Sequence, residues 1–181
     1  PLQIGYMFRA NEGIQFACKA AHDGLIGEIF SIRADLNHSY GGKKYPEYCS
    51  HYPGGTASLL GCHVIEYVMP IFDDAMPTKV TNVFMPAPGD PEGTLSHSLN
   101  VIEWPRVICT VEVCSKGSQP RRALRIDGSE GMIEMEPIED FTKVKHDTGD
   151  AAKVADDHTM KVNVYLKKVK GERVKGERVK G

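Results

Sequence analysis

Pro53-Gly54-Gly55-Thr56-Ala57-Ser58-Leu59-Leu60-Gly61-Cys62-His63-Val64-Ile65-Glu66 sets a small-residue turn directly before an apolar helix that carries one histidine. Gly54 and Gly55 suit the tight turn, because a residue without a Cβ enters left-handed backbone at no steric cost. Thr56 or Ser58 is placed to cap the helix start. Ala57, Leu60, Gly61, Val64, Tyr67, Val68 and Ile71 recur at helical spacing, so one stripe of this helix must be buried. His63 borders that stripe, with Glu66 three residues on and therefore a neighbour on the helix surface. A histidine held in this way can act as a general acid or base near neutral pH. By itself, a histidine beside an apolar stripe reads first as a packed structural residue.

Outward from this helix the pattern alternates between helix and strand. Residues 2–9 read as a short strand, and residues 11–23 as a helix with Ile14, Ala17, Cys18 and Ala21 on one side, Asn11 as its cap and Gly24 as its stop. Residues 28–36 alternate, with Phe30, Ile32, Ala34 and Leu36 on one face. Residues 37–55 are rich in Gly, Pro, Tyr, Lys and His without a period, which reads as a loop facing a substrate. Pro70 and Pro77 oppose extension of the motif helix. Strands are expected at 79–85, 96–104, 106–115, 122–126, 132–135 and 160–166, with turns at Trp104-Pro105-Arg106, at 117–120 and at 127–131. Short links favour antiparallel pairing. Alternation at Val107, Cys109, Val111 and Val113 gives the sheet one face for helices and one open face. The fold class expected is α+β: a large, mostly antiparallel open sheet with helices on one side.

Four segments in order resemble the second domain of the glucose–fructose oxidoreductase / inositol dehydrogenase (Gfo/Idh/MocA) family. They are Leu2-Gln3-Ile4-Gly5-Tyr6-Met7-Phe8-Arg9-Ala10-Asn11, Asp23-Gly24-Leu25-Ile26-Gly27-Glu28-Ile29, the glycine turn and histidine helix, and Arg125-Ile126-Asp127-Gly128-Ser129-Glu130-Gly131-Met132-Ile133. The resemblance covers residues 1–167. It implies a nicotinamide-dependent oxidoreductase acting on a secondary alcohol of a sugar, polyol or related small molecule. It also implies NAD or NADP held mainly by a Rossmann domain that this chain does not contain, and homo-oligomers formed through the open sheet face. His63 matches the family's active-site histidine, and Glu66 stands where members often carry an aspartate. The aspartate usual four residues before the histidine is replaced by Leu59, which can neither ionise nor donate a hydrogen bond.

The remaining residues agree with this reading and limit it. No Gly-x-Gly-x-x-Gly occurs, so no cofactor-binding residue is assigned here. Arg9, His51 and Tyr52 are candidate substrate contacts beside His63 and Glu66, though each also reads as a surface residue. Trp104 reads as a sheet-edge or interface anchor. The alternative function is a binding or scaffold module that kept the sheet and lost the catalytic aspartate and the nucleotide domain.

Bulk properties exclude other classes. A chain of 181 residues buries about 70% of its unfolded surface. A net charge of −2 offers nothing to attract nucleic acid, and no apolar run is long enough to span a bilayer. Five cysteines at irregular spacing suggest reduced thiols and a cytoplasmic setting rather than a disulfide framework. Cys18 with His22 and Cys49 with His51 lack second pairs at metal-site spacing, so no metal is expected. The first residue, Pro1, suggests a fragment. Residues 168–181, with Val169-Lys170-Gly171-Glu172-Arg173 repeated as Val174-Lys175-Gly176-Glu177-Arg178, match neither helix nor strand and read as an assembly artefact or disordered tail.

Overall fold

The computed structural model describes residues 5–39, 51, 53–138 and 162–166. The chain enters through a 3-10 turn, Met7–Ala10, where a strand was expected. The Arg9 and Asn11 amides bond back to the carbonyls of Tyr6 and Phe8, which closes the backbone locally and sinks Phe8 into the core. Helix α1 (Glu12–His22) follows. Asn11 caps it as the sequence predicts, its side chain accepting from the Ile14 amide at 2.9 Å. Gly24, at φ +82°, ends it: the Gly24 and Leu25 amides bond to the Ala21 and Ala20 carbonyls in a Schellman pattern.

The motif segment begins as a π-helical turn (Ala57–Gly61), becomes helix α2 (Cys62–Val68), and finishes as a 3-10 turn (Met69–Phe72) that contains Pro70. Leu60, Gly61, Val64, Tyr67, Val68 and Ile71 are buried, as the period requires. Neither expected cap forms. Thr56 already has helical backbone and is wholly buried, its hydroxyl donating to Ser115 Oγ at 3.3 Å. The Ser58 hydroxyl donates to the Pro53 carbonyl.

Seven strands form one sheet: β1 (Ile29–Ser39), β2 (Lys79–Met85), β3 (His97–Trp104), β4 (Val107–Cys114), β5 (Lys116–Gly128), β6 (Gly131–Met135) and β7 (Asn163–Leu166). Their order is β2-β3-β4-β1-β5-β6-β7, and every pairing is antiparallel except β1 with β4. The turn expected at 117–120 lies inside β5. β4 and β5 do not pair with each other, because β1 lies between them and the chain steps across its end at Ser115.

The helices cover one face. Ile32, Ala34, Leu36, Val107, Cys109, Val111, Val113, Leu124, Ile126, Ile133 and Met135 point under them and are buried. Phe30 shares their parity but is exposed, where the register of β1 against β5 shifts between Ile29 and Ser31. Trp104 is not an edge anchor: it stacks on Phe72 at 4.3 Å on the helix side, its indole N–H donating to the Ala75 carbonyl at 2.8 Å. On the open face Val83, Met85, Leu99 and Ile108 are exposed. Arg33, Asp35, Arg121, Arg125 and Asp127 share that face further along the sheet, with ion pairs Arg121–Asp35 (3.3 Å) and Arg125–Asp127 (2.7 Å).

Candidate functional site

His63 sits one residue into α2, where the glycine turn and the π-helical turn bring it towards the entry segment. Its ring meets Tyr6 and Phe8 edge-on, each at 5.8 Å between centroids and with interplanar angles of 84° and 85°. The ring is half-buried. Its Nδ1 is buried and has no hydrogen-bond partner among the described residues.

Glu66 lies one turn on. Its Oε1 accepts from Arg9 Nη1 at 2.7 Å, and its Oε2 is buried without a partner among the described residues. Arg122 comes from β5 on the helix side, in register with Leu36, and its guanidinium carbon lies 5.3 Å from the Phe8 ring centroid. Burial, and then the Arg122 charge, push the His63 imidazole below its ordinary pKa, against an opposing pull from Glu66. The ring therefore stays neutral, and able to accept a proton, further into acid than a free imidazole.

The structure brings Arg9 onto Glu66, one helical turn from His63. His51 is exposed at the start of the glycine turn, and Tyr52 lies outside the described residues. Leu59 packs partly buried against the core, leaving its position apolar. Sequence reasoning missed Tyr6, Phe8 and Arg122. Arg122 carries a legible signal: an arginine at a strand position whose same-face neighbours, Leu124 and Ile126, are fully buried. Among the described residues no group of three or more His, Cys, Asp or Glu side chains could hold a metal ion. No helix among them is long and apolar enough to cross a membrane.

Protein-family models and curated protein sequences give no match to this chain. Solved structures match it by fold. Levoglucosan dehydrogenase in complex with NADH and levoglucosan superposes with a TM-score of 0.70 at 15% identity, over 97% of this chain and 46% of that one. An inositol dehydrogenase homologue from Azotobacter vinelandii, complexed with NADH and myo-inositol, gives 0.66 at 12% identity, over 97% of this chain and 41% of that one. An oxidoreductase from Pseudomonas syringae gives 0.65 at 10% identity, over 97% and 40%. The chain therefore spans less than half the length of these three structures. Its architecture is that of an open-sheet domain found in dehydrogenases. More narrowly, it is the fold of the C-terminal domain of Gfo/Idh/MocA-type oxidoreductases, as the sequence resemblance implies.

Proposed function

We propose that this chain is the substrate-binding and oligomerisation domain of an oxidoreductase that oxidises a secondary alcohol of a sugar, polyol or related compound with NAD or NADP. The observation that carries this reading is His63: a half-buried imidazole whose buried Nδ1 has no hydrogen-bond partner among the described residues, in a fold shared with levoglucosan and inositol dehydrogenases. In this role the neutral imidazole takes the proton of the reacting hydroxyl as the carbon–hydrogen bond breaks. Glu66 stabilises the imidazolium that results, and Arg9 orients Glu66 through its ion pair. Hydride acceptance is the chemistry a nicotinamide supplies when bound. No residue set here fits the dinucleotide, since the sequence has no glycine-rich phosphate cradle. That group is assigned to a Rossmann domain, and this chain alone should bind no NADH at millimolar concentration.

The exposed apolar residues of the open face, Val83, Met85, Leu99 and Ile108, support pairing of two copies through the sheet. The free thiols of Cys18, Cys62, Cys109 and Cys114 support a cytoplasmic setting. The domain organisation proposed remains 1–167 for the folded domain, with 168–181 outside it.

Leu59 favours a second reading, a binding or scaffold module without catalysis. One substitution separates the two. In the protein joined to its Rossmann domain, His63→Ala should lower kcat by about 10²- to 10⁴-fold while the fold is kept. Unchanged turnover would overturn the catalytic assignment.

A further inference from the structure

β2 is an end strand of the sheet: it pairs with β3 on one side, and among the described residues no strand pairs with its other side. Such a strand leaves a row of amide and carbonyl groups open along its outer edge. Soluble proteins commonly blunt that row with charges, proline, a bulge or a very short strand. β7, at the opposite end, is four residues long. β2 has seven residues, an unbroken register against β3 and no proline. Its one charge is Lys79 at the first position, and residues 80–85 carry none. It is also uncovered on both faces. Val80 is exposed on the helix side, paired with buried Ile102, while Val83 and Met85 are exposed on the open side, paired with Leu99 and His97. The helix layer therefore stops short of this strand.

We infer that the outer edge of β2 docks a second copy of this chain, which adds its own β2 antiparallel across a two-fold axis so that one sheet runs through both copies. The occupant follows from the strand's own sequence. An axis normal to the sheet keeps both helix layers on one side, and centred on Asn82 it pairs all seven residues. Val80 of each copy then faces Phe84 of the other, Thr81 faces Val83, Lys79 faces Met85, and Asn82 faces Asn82. Apolar and β-branched pairs fill the join, and no like charges stand opposite each other. This interface is distinct from stacking of the open faces, and it does not depend on the catalytic reading of His63.

Asn82 separates the two geometries. It shares the helix side with Asn100, its buried neighbour on β3. Edge pairing brings the two Asn82 Cα atoms to about 4.5–5.5 Å, within the span a disulfide bridges. Stacked open faces leave them at least about 10 Å apart, the spacing of packed sheets.

The test uses the 181-residue chain in sedimentation velocity at rising concentration, with circular dichroism as the check on folding. The parent should form a dimer or larger assembly. Val80→Lys with Asn82→Lys clusters ammonium groups at the axis, on the side away from any stacked face, and should raise the dissociation constant about 10-fold or more. Ile108→Lys, on the open face two strands in from β2, should leave edge pairing intact. In Asn82→Cys, mild oxidation should give a disulfide joining position 82 of one copy to position 82 of the other, identified by peptide mass mapping. An assembly that ignores the double lysine variant but dissolves in Ile108→Lys would overturn edge pairing and leave face stacking standing. A chain that stays monomeric up to about 0.1 mM would overturn both. Should the lysine variants fail to fold, the cross-link decides: an assembly without the 82–82 disulfide overturns the edge interface.

Discussion

Arg9 Nη1 donates to Glu66 Oε1 across 2.7 Å, and this bond ties the entry turn to α2 one helical turn beyond His63. The Arg9 side chain is 65% exposed, whereas that of Glu66 is only 14% exposed. An exposed ion pair contributes about 0–1 kcal/mol. Removing Arg9, however, leaves a mostly buried carboxylate whose other oxygen has no partner among the described residues. Arg9→Ala should therefore lower stability by about 1–2 kcal/mol in urea denaturation. Glu66→Gln should cost less, because the amide oxygen still accepts from Arg9 and no buried charge is stranded.

The base role proposed for His63 predicts a pH dependence that follows from the same cluster. Burial and the Arg122 charge depress the His63 pKa, and Glu66 opposes them. A general base must be neutral, so the acidic limb of kcat/KM should lie below the ordinary histidine value of about 6.5. Glu66→Gln removes the raising influence and should move the limb to lower pH. Arg122→Gln removes a lowering one and should move it to higher pH. Stability has the matching sign: with the folded pKa depressed, the contribution of His63 is present above about pH 6.5 and is lost as pH falls through the folded value. Superimposable pH–rate profiles for the three proteins would rule out His63 as the base.

Local pattern was enough to read β2 at its residues, the alternating faces of β4, the Asn11 cap and the buried stripe of α2. Those features depend on neighbours in sequence. The insertion of β1 between β4 and β5 does not, since it pairs Ala34 with Val111 on one side and Leu124 on the other, far along the chain. Arg122 was missed for a related reason. It is separated from His63 by 59 positions, and nothing in its own strand says that Phe8 lies above it. The entry turn was misread as a strand because its apolar residues, Tyr6, Met7 and Phe8, fit either conformation until the backbone closes at Arg9 and Asn11.

Leu59 occupies the position where the resembled family usually has an aspartate, and it is set against apolar groups. It lies within a π-helical turn, where the four-residue spacing to His63 no longer stacks the two side chains as an α-helix would. It also packs against the core. Leu59→Asp should therefore not raise turnover, and should lower stability by about 1–3 kcal/mol through partial burial of a charge without a partner. Thermal melting and steady-state rates on the same preparation check both halves. A gain in kcat would show that the aspartate can still be used here.

The β5–β6 hairpin depends on a close approach. A Cβ at Gly128 would collide with the backbone carbonyl of Ile26, the same oxygen that accepts from the Glu130 amide at 2.8 Å. Gly128→Ala must push apart the turn after α1 and the β5–β6 hairpin, at a cost of about 1–3 kcal/mol, which corresponds to a Tm roughly 3–10 °C lower. Gly5→Ala is the control: a Cβ there meets nothing within 4 Å among the described residues, so its Tm should match the parent's.

Thiol accessibility reports whether the helix layer closes over the sheet. Burial pushes the thiols of Cys18 and Cys109 up to about 12, and Cys18 Sγ also donates to the Tyr67 carbonyl at 3.2 Å. At pH 8 a thiol with that pKa is thiolate in only about one molecule in 10⁴, and attack on a disulfide reagent requires the thiolate. Cys62 is half-buried and its thiol is also raised by burial, while Cys114 is half-buried on the open face. In a Cys49→Ser variant diluted until the chain is monomeric, a chromogenic disulfide reagent should therefore modify Cys114 first and Cys62 more slowly. Cys18 and Cys109 should react only on addition of denaturant. Mass mapping of the modified peptides identifies each site. Rapid native-state modification of Cys109 would mean that α1 and α2 do not seal the sheet, and the geometry assigned to His63, Phe8 and Arg122 would not hold in solution.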